Sequence, residues 1–108
     1  MSDLKSKLFQ SYANGGVGAF VDACASLERN HASLWAIERV CVIILRRHPE
    51  ACIFLHRAGL IGLDLVLVAL SRISDNGSLY ESVLRGVSLG ILTASQADSI
   101  LNGESRSV

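Results

Sequence analysis

Apolar residues recur along most of this chain at three- and four-residue intervals, the period that places them on one face of a helix. In residues 3–13 the face is Leu4, Leu8, Phe9 and Tyr12; in residues 17–29 it is Val17, Phe20, Val21, Cys24 and Leu27. Residues 33–47 carry the clearest stripe, Ile37, Val40, Cys41 and Ile44, and end in Arg46 and Arg47, where a helix dipole favours positive charge. Pro49 can open a fourth helix at the position that needs no amide donor, with His48 as its cap. A fifth helix is expected over 60–73 and a sixth over 78–92. Thr93 caps a seventh that runs to Leu101. Asp75-Asn76-Gly77 reads as the main turn, and the whole pattern predicts an all-α chain of about seven helices.

Punctuation between these helices repeats. Gly15, Gly59 and Gly103 stand 44 residues apart, each closing a short helix-like segment. Asn30-His31-Ala32-Ser33-Leu34-Trp35 matches Asp75-Asn76-Gly77-Ser78-Leu79-Tyr80 at an offset of 45. Gln96-Ala97-Asp98-Ser99-Ile100-Leu101-Asn102-Gly103 echoes the segment that ends at Gly59. A period in the low forties is the range of armadillo and HEAT units, whose stacked members present an extended surface to partners.

The phrase His48-Pro49-Glu50-Ala51-Cys52-Ile53-Phe54-Leu55-His56-Arg57-Ala58-Gly59-Leu60-Ile61 resembles the first-to-second helix junction of armadillo repeats. That resemblance implies a right-handed stack within a single domain, 1–103: a first unit at 3–47, a second at 49–92 and the first helix of a third at 93–103, followed by a flexible tail at 104–108. Gly59 would permit the sharp angle between helices through a positive backbone angle or close packing. Strict alignment sets Asp64 opposite Phe20, a core position, so a residue inserted near Gly62 is expected to return Leu65 and Val66 to the core and leave Asp64 solvated or at a helix end.

In the armadillo family the third helix lines a concave groove, where a tryptophan four residues before an asparagine grips an extended peptide. Here Trp35-Ala36-Ile37-Glu38-Arg39 keeps the tryptophan and the spacing but has arginine in place of asparagine. The resemblance therefore implies a partner-binding groove of Trp35, Arg39, Arg46, Glu81 and Arg85, suited by its guanidinium groups to an acidic protein or peptide segment. The other reading makes Trp35 partly core and the arginines solvated.

Composition narrows the function. Ten acidic and ten basic residues cancel, which leaves no nucleic-acid footprint, although eight of the ten cations are arginine. The most apolar stretch, 58–70, contains Asp64 and falls short of the ~20 residues that span a bilayer. Three irregularly spaced cysteines and an N-terminus without a secretory pattern favour a cytoplasmic setting. Cys24, Cys41 and Cys52 fit apolar stripes. His48, Cys52 and His56 share a spacing of four, but one straight helix cannot wrap three ligands around an ion. Gly16-Val17-Gly18 lacks the strand and lysine-serine ending of a phosphate loop, and Gly86 with Gly90 reads as close helix packing.

The expectation is a non-enzymatic interaction module or adaptor without cofactor or metal. The alternative is a compact helical-bundle regulator, such as a death-fold-like adaptor or a small bacterial chaperone or inhibitor. A stack this short leaves apolar surface at its ends, so the chain is expected either to belong to a longer array or to self-associate through Leu89, Ile91, Ile100 and Leu101.

Overall fold

Gly16 sets the geometry of the N-terminal third of the chain. Its φ of 81° and ψ of −170° lie in a region that only glycine occupies readily, so the helix that enters it cannot continue straight. The computed structural model describes residues 2–102, with side chains from residue 4 onward. Six α-helices are present and no strand occurs among the described residues: α1 (Ser2–Ala25), α2 (His31–Arg47), α3 (Cys52–Arg57), α4 (Leu63–Ser71), α5 (Asn76–Ser88) and α6 (Ala94–Leu101), with a 3-10 turn at Pro49–Ala51 before α3. The helices expected at 3–13 and 17–29 are both present, joined within α1 across the non-helical Gly16 and ending at Ala25, and the elements so joined count six rather than seven. Gly103, the third glycine of the series, and the tail 104–108 lie outside the described residues.

The chain divides into two compact units, residues 1–47 and 48–108. In the first, α1 and α2 pack against one another. Leu8, Tyr12, Phe20 and Cys24 of α1 are buried, as is the expected α2 stripe of Ile37, Val40, Cys41 and Ile44. Helix α2 begins two residues before its expected start because Asn30 and Ser33 cap it reciprocally: the Ser33 amide donates to Asn30 Oδ1 at 2.9 Å, and the Asn30 amide donates to Ser33 Oγ at 2.9 Å. The Ser33 hydroxyl in turn donates to the Glu28 carbonyl at 2.7 Å, so this buried serine is fully engaged.

In the second unit the 3-10 turn, α3, α4 and α5 pack together, and α6 lies against α5. Pro49 opens the turn as expected, but His48 supplies no side-chain cap; its Nδ1 stands 3.4 Å from Glu50 Oε1. Helix α3 ends in a Schellman motif, with the Leu60 amide on the Leu55 carbonyl at 3.1 Å, the Gly59 amide on the His56 carbonyl at 2.9 Å, and Gly59 at φ 78°. Leu60 and Ile61 belong to this exit, which is why α4 starts at Leu63 rather than at 60. His56 Nδ1 lies 2.9 Å from the Ile61 carbonyl and ties the exit down. Asp64 sits exposed in the first turn of α4, near the positive end of the helix dipole, while Val66 is buried and Leu65 half-buried.

Asp75-Asn76-Gly77 is a helix start rather than a turn. Asp75 accepts from the Ser78 amide at 2.8 Å, and the Ser78 backbone and side-chain hydrogen bonds hold its carboxyl below the usual 3.8. Helix α5 stops at Ser88 because Gly90, at φ 76°, closes a second Schellman motif with the Ile91 amide on the Gly86 carbonyl at 2.9 Å. The helix expected to reach residue 92 therefore ends four residues earlier, and Leu89 and Ile91 lie beyond its end. Thr93 and Gln96 form a full capping box at the start of α6. Among the described residues the left-handed glycines are Gly16, Gly59 and Gly90, so the first break stands at Gly16, one residue after the Gly15 of the 44-residue series.

Candidate functional site

Helix α2 exposes one row beside its core stripe. Trp35 is 47 % exposed, Arg39 and Arg46 are exposed, and Val42 between them is half-buried. Trp35 is therefore about half covered by the fold and half in solvent, and both arginines are solvated. The Arg39 guanidinium lies over its indole ring, 5.4 Å from the centroid. A cation held over an indole face in this way keeps N–H donors that a carboxylate could accept from. Leu34, 50 % exposed, widens the apolar part of this surface.

Glu81 and Arg85 belong to the second unit, on α5, where they line a small recess of about 160 Å³ with Glu50, Ser78 and Ser82. Two carboxylates and one guanidinium leave this recess acidic, the opposite sign from the α2 row.

A row that the sequence reading passed over lies on the same helix. Tyr80, Leu84 and Val87 are 53, 48 and 36 % exposed and follow an i, i+4, i+7 spacing. Helix α5 therefore has three faces: Leu79, Val83 and Gly86 inward, Ser78, Glu81 and Arg85 as a polar flank, and Tyr80, Leu84 and Val87 apolar and in solvent. The signal was present in the sequence as a second apolar stripe one residue after the core stripe. It was hidden because adjacent stripes merge into one broad apolar arc unless burial distinguishes them.

Of the residues expected to mediate self-association, Leu89 and Leu101 are exposed and Ile91 is half-buried, while Ile100 is 4 % exposed inside its own unit. Ile100 is thus occupied by the fold, with α6 laid on α5. The three cysteines are free and buried. Burial pushes Cys24 and Cys52 up to about 11 and Cys41 to about 12, so all three are protonated thiols at neutral pH. His48, Cys52 and His56 do not converge, and among the described residues no group of three His, Cys, Asp or Glu side chains could hold a metal ion. No helix among them is long and apolar enough to cross a membrane.

Comparisons with protein-family models, with curated proteins and with solved structures gave no match. The surfaces above are therefore the ground on which function can be argued.

Proposed function

We propose that this chain is a non-enzymatic protein-interaction module, an armadillo-like pair of helical units that holds a segment of another protein against its exposed helix faces. Tyr80, Leu84 and Val87 carry the proposal. A helix that already buries one apolar face and still turns a second to solvent offers the anchor spacing by which helices and grooves recognise each other. Arg39, held over the Trp35 ring, adds a point of contact for an acidic side chain of the partner.

Two local features support the armadillo-like part of the proposal. Helices α3, α4 and α5 lengthen in order, with 6, 9 and 13 residues, and a left-handed glycine separates the first two. The caps of α2 and α5 are also built alike, with Asn30 and Asp75 each accepting from the amide of a serine three residues on. The offset of 45 between them thus marks a shared structural device as well as a likeness of letters.

Quantitative affinity capture with the wild type and with Tyr80→Ser/Leu84→Ser tests the proposal. Both substitutions fall on exposed side chains, so the variant should melt within a few degrees of the wild type while losing the wild-type set of captured proteins. Recovery of the same set by both proteins would refute the assignment of this face. Arg39→Glu, tested in parallel, should remove acidic partners selectively.

A further inference from the structure

We infer that the first unit carries a binding site for an anionic amphiphile, a linear alkyl carboxylate, in the cleft between the first turns of α1 and the last turn of α2. The cleft has a volume of about 620 Å³ and is lined by Lys5, Ser6, Phe9, Gln10, Ile43 and Arg47. That volume lies within the roughly 300–1,000 Å³ of small-molecule sites. Each helix contributes one cation and one apolar residue a turn apart: Lys5 with Phe9 from α1, and Arg47 with Ile43 from α2.

Phe9 and Ile43 are half-buried, so the cleft has an apolar floor that stays partly open to solvent. The Arg47 guanidinium lies 5.3 Å from the Phe9 ring centroid, which holds the charge beside that floor. Among the described residues no carboxylate lines the cleft, and neither Lys5 nor Arg47 is in an ion pair. In a chain with ten charges of each sign, this is a local excess of positive charge over an apolar surface.

The lining selects its ligand by exclusion. A small inorganic anion would satisfy the cations and leave the floor wet, whereas a neutral alkane would cover the floor and leave the cations without a counter-charge. A peptide would bring backbone amides that need partners, and among the described residues the uncharged polar lining is Ser6 and Gln10. An alkyl carboxylate places its head between Lys5 and Arg47 and its tail on Phe9 and Ile43. This site is independent of the α5 face, so either can fail without the other.

Calorimetric titration of the full chain with dodecanoate below its micellar concentration tests the site, with acetate and dodecyltrimethylammonium as comparators and amide chemical shifts as the locator. The expected result is one-to-one binding of dodecanoate alone, with shifts at residues 5–10 and 43–47. Lys5→Glu/Arg47→Glu should weaken it about tenfold or more, and Arg47→Gln should weaken it less. Absence of saturable dodecanoate binding overturns the inference. So do equal affinity for dodecyltrimethylammonium, unchanged affinity in Arg47→Gln, shifts confined to residues 80–87, or an acidic leucine-rich peptide binding at the cleft where dodecanoate does not.

Discussion

Gly59 shows how one residue decides a junction. It occupies the left-handed region at φ 78°, with no heavy atom within 4 Å of where a Cβ would stand, so the cost of a side chain there is conformational rather than steric. Gly77 has an ordinary φ and would place a Cβ 3.4 Å from Asp75 Oδ2, which is normal contact. Gly59→Val should therefore lose about 1–2 kcal/mol and melt below Gly77→Val. Equal melting temperatures would mean that the α3 exit can end without a left-handed residue. The cysteines act at the same scale but report on pH. Their thiols titrate near 9.0 when exposed and at about 11 to 12 in the fold, so above pH 9 the folded chain holds more protons than the unfolded one. Stability is then present below 9 and lost as pH rises through the folded values. The urea midpoint should fall between about pH 8 and pH 10, and fall less steeply in Cys41→Ala.

Among the elements, α5 bears the most constraints. Its inward face includes Gly86, where a Cβ would come within 2.7 Å of Leu92 Cδ1 and 3.3 Å of Ile53 Cδ1. Both side chains are buried, so neither can withdraw freely. Gly86→Ala should cost about 1–3 kcal/mol in chemical denaturation, even though alanine is the better helix former. A stabilised variant would show that Leu92 can repack. The same helix is capped by Asp75 at one end and stopped by Gly90 at the other, so its length is set by two residues outside the apolar periodicity. Periodicity alone carried it to residue 92, because Ile91 and Leu92 continue the apolar spacing after the backbone has turned.

For the whole molecule, the open question is what covers the exposed apolar residues. Leu89 and Leu101 are 40 and 37 % exposed, whereas Ile100 is already packed. If the chain self-associates through this end, light scattering at micromolar concentration should show a mass above that of the 11.6 kDa monomer, and Leu89→Asp/Leu101→Asp should reduce it. Ile100→Asp would instead unfold the second unit by burying a charge, and cannot serve as the test. A monomer at every concentration, for wild type and variant alike, would leave these leucines as ordinary surface.

Much of the fold was legible without coordinates. The α2 stripe, the Thr93 cap, the proline start and the glycine exit at Gly59 each follow from interactions within one or two helical turns, which the order of residues determines directly. So did the terminal placing of Asp64, since an unpaired charge avoids burial. Tertiary structure decided the rest. Which of two adjacent stripes on α5 faced water depends on what packs against that helix. The charged cleft of Lys5 and Arg47 is of the same kind: its members come from opposite ends of the first unit's sequence and meet because α1 and α2 fold against each other. Local periodicity names the side chains that share a face, but the faces that remain exposed are a property of the assembled chain.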